Sequence, residues 1–326
     1  MLKHHRWLRI GLSLLGCGIL LLNAGCRARS SPEPTTPPTS APEAMSSTET
    51  QVIVLGDIAE DPGVVIEGTQ PLADYLAAQL ADFGITEGRV KIAATTDEMA
   101  DLLEAGEVDL YFDSVYPATL VGDAAGAEII LRRWRYGVEA YHTVIFAGAD
   151  HGIDTLEDLQ GHIIAFDNPF STSGYFLPAI SLLDEDLTLV GKSSYDEPVA
   201  EDEVGFVFSY HDKNTLQWVF SGLVAAGATD DYNYEVLFSE DVREQLVVLK
   251  ETAPVPRQVV VVRPNMAPEL LEAVKSALIT AHESEAGQAA LEPFQTSRFD
   301  EFPEGIEAAQ RRMREMMEQV QGLPLP

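Results

Sequence analysis

The sequence predicts an α/β protein made of two similar units, and three observations carry that prediction. From residue 51 onward, short apolar runs alternate with stretches of helical periodicity. A helix–Gly–x–Val–strand pattern occurs twice, in "LLEAGEVDLYF" (102–112) and "WVFSGLVAAGA" (218–228). The chain beyond residue 26 has no cysteine, so a large core must hold it together without disulfides.

Taken in order, "QVIVL" (51–55) reads as a buried strand. The segment 70–84, "QPLADYLAAQLADFG", has helical spacing, with Gly84 as its C-terminal cap. "RVKIAA" (89–94) is a strand, "TDEMADLLEAG" (96–106) a helix and "VDLYF" (108–112) a strand. "YHTVIFAG" (141–148) and "HIIAF" (162–166) are further strands. A helix over 173–183 precedes the strand "VGFVFS" (204–209), the helix "DKNTLQWVFSG" (212–222) and the strand "LVAAGA" (223–228). "QLVVLK" (245–250) and "RQVVVV" (257–262) are late strands, and helices close the chain near 268–281, 286–292 and 304–320. The alternation implies parallel sheets covered on both faces. Gly106 and Gly222 fit left-handed helix caps. The basic stretch "LRRWRYG" (131–137) reads as a solvated edge, with a contribution to a cleft as the alternative.

The first 26 residues read as a targeting segment. Lys3, His4, His5, Arg6 and Arg9 form a basic start, and "IGLSLLGCGILLL" (10–22) is an apolar run short for a membrane span. "NAGC" (23–26) resembles the lipobox of bacterial lipoproteins, with Asn23 at the position where Leu is usual and Leu22 one step further out. The resemblance implies cleavage after residue 25 and lipidation of Cys26; an ordinary secretory signal or an uncleaved anchor is the alternative. Pro, Ser and Thr dominate residues 27–50, which cannot bury enough apolar surface to fold and read as an extended tether. The expected organisation is a leader over 1–25, a tether over 26–50 and a folded body from 51.

Charge and cysteine use exclude several functions. The chain carries 52 Asp+Glu against 21 Lys+Arg, a formal net charge of −31. A nucleic-acid binder needs a basic face, so no nucleic-acid partner is expected. Cys17 and Cys26 both lie in the leader, which leaves the body no thiolate nucleophile and no cysteine metal site. His142, His151, His162 and His211 are scattered without ligand spacing, so no metal and no other cofactor is expected.

The most informative stretch is "DNPFSTSGYF" (167–176), between a strand and a helix. Pro169 enforces an extended entry, and Ser171, Thr172 or Ser173 can cap the helix that follows. The first turn of a helix presents unpaired N–H groups backed by a positive dipole end. Three hydroxyls beside them make a cluster of neutral donors suited to a small oxyanion, at the strand end where α/β proteins bind ligands. Gly174, without a Cβ, lets a ligand approach the backbone. A plain helix cap is the alternative reading.

With "QPLADYL", "LLEAGEVDLYFDSVYPA", "GIDTLEDLQGHIIAFDNPFSTSGYFLPAISLL", "SYHDKNTLQWVFSGLVAAG" and "TAPVPRQVVVV", the body resembles the substrate-binding proteins of phosphonate, phosphite and phosphate ABC importers over residues 51–265. The resemblance implies a type II periplasmic-binding-protein fold. Its two α/β lobes, 51–145 with 255–326 and 146–254, would be joined by two crossing hinge segments near 137–147 and 252–262. The ligand would lie in the cleft between them. The resemblance assigns Ser171, Thr172 and Ser173 to the anion, with the Tyr116 hydroxyl donating from the other lobe and His211 reaching the same anion. Gly174, Tyr111, Thr96 and Asp231 are secondary candidates. Thr96 stands where a tyrosine is common, and Ala225, Arg257 and Gln258 stand where acids are common. That loss argues against an aminoalkyl ligand, although Asp230 and Asp231 could supply an acid. The resemblance further implies a monomer that works outside the cytoplasm, lipid-anchored to the membrane, and hands its oxyanion to an ABC permease without catalysis. Two other readings are a ligand-sensing or docking module of the same fold, and a serine hydrolase using Ser171 or Ser173 with His211. The hydrolase lacks both the G-x-S-x-G elbow and the S-x-x-K lysine.

Overall fold

The computed structural model describes residues 51–59, 61–236 and 238–323. The expected leader, the tether and Cys26 lie outside the described residues.

The chain begins with β1 (Gln51–Ile58), α1 (Pro62–Gln79), β2 (Ile85–Ala93), α2 (Thr96–Glu104), β3 (Leu110–Asp113), α3 (Val115–Ala125) and β4 (Glu128–Arg135). It passes through the short β5 (Ala140–Tyr141) into β6 (Thr143–Gly148) and β7 (Ile163–Phe166). Then come α4 (Leu177–Leu183), β8 (Thr188–Gly191), β9 (Glu203–Phe208), α5 (Asp212–Phe220), β10 (Ala226–Asp230), α6 (Asp231–Val236), α7 (Glu240–Arg243) and β11 (Leu246–Glu251). It returns through β12 (Val255–Pro256) to β13 (Gln258–Val262), α8 (Pro268–Thr280), α9 (Glu285–Leu291), β14 (Thr296–Asp300) and α10 (Ile306–Val320).

Two six-stranded sheets result, ordered β14-β4-β13-β3-β1-β2 and β11-β6-β10-β7-β9-β8, with β5 and β12 pairing antiparallel between them. Leaving out the edge strands β14 and β8, both sheets follow one plan. The second, first and third strands of the lobe come first, then the strand arriving from the other lobe, then a last strand. The second sheet begins at Thr143, inside the range 51–145 expected for the first lobe.

The expectation of parallel sheets is corrected to mixed ones. β1 is parallel to β2 and β3, and β7 is parallel to β9 and β10, but β13 runs antiparallel to β3 and β6 antiparallel to β10. The cause is the crossing. β6 starts directly after β5, and β13 directly after β12, so each enters its sheet from the edge where the parallel strands end. A strand entering there can only run backwards.

Local chemistry explains the rest. Asp61 caps α1 by accepting the Gly63 N–H, with Pro62 at the first helical position. Gly106 and Gly222 end their helices at φ +70° and +67°, as the repeated pattern requires. The "LRRWRYG" stretch is not a solvated edge. It forms the end of β4, held between β13 and β14, with Arg132 and Arg133 buried. Arg132 makes a two-pronged bond to Asp300, and Arg133 donates to Thr296, Gln258 and the Phe294 carbonyl.

The lobes are pressed together. One hydrophobic cluster runs from Tyr111 and Val259 of the first sheet through Tyr141 and Val255 of the crossing strands to Ile164 and Phe166 of the second. Tyr116 stacks on Phe176 at 4.4 Å between ring centres, and Tyr136 on Tyr232 at 5.6 Å, one ring from each lobe.

Candidate functional site

The strands β1, β3, β7, β9 and β10 end at the junction between the lobes, and the helices that follow begin there. Two of those beginnings meet. In the first lobe, Phe112 and Asp113 end β3, Ser114 caps the start of α3, and Val115 opens the helix. In the second, Phe166 ends β7, Asp167 follows, and Ser171 caps a wide turn over Thr172–Phe176. The Phe176 N–H reaches back to the Ser171 carbonyl, five residues earlier. A π-type opening of this kind recurs at functional sites.

Thr172 joins the two. Its hydroxyl donates to Ser114 Oγ at 2.9 Å and accepts from the Tyr116 N–H at 3.0 Å. Thr172 is 1% exposed, so the bridge is closed to water. The neighbouring hydroxyls have other partners. Ser171 Oγ accepts the Gly174 N–H at 3.0 Å and hydrogen-bonds to the Asp167 carboxylate. The Tyr141 hydroxyl hydrogen-bonds with Thr172 and Ser173, and Thr143 donates to the Ser173 carbonyl at 2.8 Å.

Two carboxylates flank this bridge. Asp113 accepts from the Tyr111 hydroxyl, from the Ser114 N–H at 2.6 Å and from the Ser114 hydroxyl at 3.3 Å. Burial raises its pKa above the ordinary carboxylate range, while these bonds and Arg135 hold it back. Asp167 is raised to about 6, first by burial and then by Asp212, against the pull of Ser171, Asn168 and His211. Further along the first-lobe edge, burial and Asp113 raise Asp57 to about 6. A cavity of about 450 Å³ there brings Asp57 and Asp113 together with Arg133, Arg135, Tyr136 and Gln258. A second, of about 430 Å³, lies beside Tyr116, Tyr175 and the end of α10.

The expected residues are therefore only partly assembled. Ser171, Thr172 and Ser173 face α3, but through Thr172 itself. Tyr116 meets them with its backbone N–H, and its ring lies against Phe176 and lines the α10 groove. Gly174 needs its missing Cβ for another reason than a ligand: an added Cβ would sit 2.4 Å from Asp167 Cβ. His211 caps α5, its Nδ1 accepting the Lys213 N–H at 3.1 Å, and it lies close enough to Asp167 to lower that carboxyl. Tyr111 is buried and reaches the site through Asp113. Thr96 opens α2 at the end of β2, two strands along the first sheet from β3. Asp231 starts α6 and pairs with His142 Nδ1 at 3.3 Å, beside the crossing strands.

Of the positions where acids are common in the family, one lies off the junction. Ala225 precedes β10, whose far end, Asp230, is the one at the junction. Five strand steps at about 3.3 Å put Ala225 roughly 16 Å away from it. Gln258 is committed to Arg133, and Arg257 lies over the Tyr141 ring at 4.3 Å and faces Asp230. Asp113, Ser114, Asp167, Tyr141 and Thr143 escaped the sequence reading. A signal for the first three was present: "FDS" (112–114) and "FDNPFS" (166–171) both set Phe-Asp at a strand end before a serine.

Comparison with known proteins agrees with this architecture. The family model described as ABC transporter, phosphonate, periplasmic substrate-binding protein matches residues 58–304. XAC2383 from Xanthomonas citri bound to chloride ion is similar at 29% identity and a TM-score of 0.76, over 84% of this chain and 98% of that one. The same protein bound to ATP gives 28%, 0.74, 83% and 97%. PhnD1 from Prochlorococcus marinus in complex with methylphosphonate shares the fold at 16% identity and a TM-score of 0.59, over 83% of this chain and 99% of that one. With the family match spanning most of the folded body and both sheets following one plan across a junction with two crossings, this chain belongs to the periplasmic substrate-binding proteins of ABC phosphonate transporters and has their type II fold.

Proposed function

We propose that the protein captures a phosphorus oxyanion, phosphate, phosphite or a simple phosphonate, between the start of α3 and the Ser171–Ser173 turn, and delivers it to an ABC permease. The observation that carries the reading is the Thr172 bridge. Its oxygen accepts the Tyr116 N–H at the first turn of α3, where a helix favours an anion. Parting of the lobes withdraws Thr172, and a ligand oxygen takes its place before the lobes close again. Neutral donors, two helix starts and exclusion of water then hold the anion without a lysine or arginine at the bridge. The net negative charge of the chain is no obstacle, since salt screens distant surface charge beyond about 8 Å.

His211 supports binding over hydrolysis. Because its Nδ1 accepts the Lys213 N–H, Nε2 carries the proton and can donate to an anion, but cannot take a proton from a serine. Lipidation at Cys26 and the tether over 26–50 would keep the protein at the membrane outside the cytoplasm, near the permease. The ATP bound to XAC2383 favours a second reading, in which the captured group is the terminal phosphate of an ester.

Titration calorimetry of the purified protein with phosphate, phosphite, methylphosphonate and ATP tests both. Binding of at least one, lost in Thr172→Val and Ser173→Ala, is expected. Failure of all four to bind would end the oxyanion reading.

A further inference from the structure

The bridge between the lobes holds more than donors. A hydroxyl has one proton to give, and at two of the serines here that proton is already committed inward. The Ser114 hydroxyl donates to Asp113 Oδ1, whose partner oxygen accepts from Tyr111. The Ser114 N–H, which can only donate, points at the same Oδ1 and fixes it as an acceptor. The Ser171 hydroxyl hydrogen-bonds to the Asp167 carboxylate, whose Oδ2 accepts from the Asn168 amide at 2.8 Å. Both serine oxygens are thus left as acceptors. They are used that way: Ser114 Oγ accepts from Thr172, and Ser171 Oγ accepts from Gly174 N–H.

When a ligand replaces Thr172, it inherits the Ser114 lone pair. A fully deprotonated oxyanion has only lone pairs to set against it, in a place shut off from water. An oxyanion with one O–H satisfies it and still accepts from the Tyr116 N–H. We propose that Asp113 and Asp167, acting through Ser114 and Ser171, make the cleft select oxyanions that keep a proton at neutral pH, phosphate and phosphonates, and reject sulfate and sulfonates. This rests on the oxyanion reading above. The two aspartates are positioning residues: they never touch the ligand, but decide which way the serine protons point. Sites built around a ligand hydroxyl reject analogues lacking it strongly, so a preference of about 100-fold or more is expected.

The experiment is calorimetry at pH 7.5 with methylphosphonate, inorganic phosphate, methanesulfonate and sulfate, on the wild type, Asp113→Ala and Asp167→Asn. In the wild type the phosphorus anions should bind about 100-fold or more tightly than their sulfur counterparts. Alanine at 113 removes the acceptor of the Ser114 proton, and an asparagine amide at 167 can donate to Ser171, so either change frees a serine proton for the ligand. The phosphonate-to-sulfonate ratio should therefore fall at least tenfold in Asp113→Ala, and in the same direction in Asp167→Asn, through a gain in sulfonate affinity. A merely structural loss would weaken both ligands together and leave the ratio alone. The proposal is overturned if wild-type protein binds methanesulfonate within a few-fold of methylphosphonate, or if neither variant moves the ratio. If no anion of either kind binds wild-type protein, the oxyanion reading itself falls, and this proposal with it.

Discussion

Replacing Asp167 by asparagine should stabilise the protein at pH 8 and lose that advantage in acid. The carboxyl is raised from 3.8 to about 6, chiefly by burial. Its ionised form is therefore disfavoured in the folded state. The sign follows: for an acid with a raised folded pKa, stability is greatest below the unfolded value and is lost as pH climbs from near 4 through 6. Two units at about 1.4 kcal/mol each give a penalty of about 3 kcal/mol at pH 8, falling to about 1 kcal/mol near pH 4.5. Asparagine removes the penalty but keeps one acceptor where the carboxylate had two, for Asn168 and Ser171, at a cost of about 1 kcal/mol. The net effect is a gain of about 2 kcal/mol at pH 8 and almost none at pH 4.5. Urea unfolding of wild type and Asp167→Asn at the two pH values reads it directly. Equal destabilisation at both would mean that the ionised carboxylate is well solvated or paired in the folded protein, and the reasoning about Asp167 would be wrong.

Other perturbations test the remaining steps. Gly174→Ala should destabilise by about 2 kcal/mol or more, because the new Cβ meets Asp167 Cβ at 2.4 Å in a packed turn, and urea unfolding measures it. Thr172→Val should loosen the ligand-free closed form by about 1–3 kcal/mol, since the Tyr116 N–H loses its acceptor. Small-angle scattering should then show a larger radius of gyration than in wild type, and an unchanged radius would remove Thr172 as the closing contact. Arg133→Ala should cost about 3–5 kcal/mol, having cut the ties to Thr296, Gln258 and Phe294, while Arg89→Ala, an exposed arginine paired with Glu87, should change stability by less than about 1 kcal/mol. Thermal unfolding distinguishes the two.

The elements legible in the sequence were those with local causes. The strands β1, β3, β7 and β9 are apolar runs, and Gly106 and Gly222 cap by their own backbone freedom. What escaped depends on partners far along the chain. β4 reads as a basic edge because the partners that bury its arginines lie far along the chain: Asp300, 168 residues on from Arg132, and Gln258, 125 residues on from Arg133. β14, "TSRFD", has little apolar pattern and is a strand only because β4 offers it an edge. α3, with Pro117 and Gly122 inside it, has little helical signature, yet its start supplies half of the site. The Ser171–Ser173 run was legible as a site because a helix start announces itself locally. The contact made across the junction by the Tyr116 N–H was not legible. Sequence shows which side chain is available, but not that the main chain of the same residue stands in front of it.

The two lobes reach the junction with the same device. In each, a strand ends in Phe-Asp, the aspartate holds the proton of a nearby serine, and that serine heads a helix. An aspartate beside an anion site weakens raw attraction, so a cleft built only for tight binding would do better without it. Two such aspartates, one after the third strand of the first lobe and one after the first strand of the second, make sense if the quantity selected is a difference between ligands. The carboxylates set the serine lone pairs against any anion that cannot donate, while the helix starts attract every anion alike. Closure then depends on what sits between the lobes. Thr172, which both accepts from Tyr116 and donates to Ser114, satisfies both halves when no ligand is present, and a proton-bearing oxyanion is the ligand that can match it on both counts.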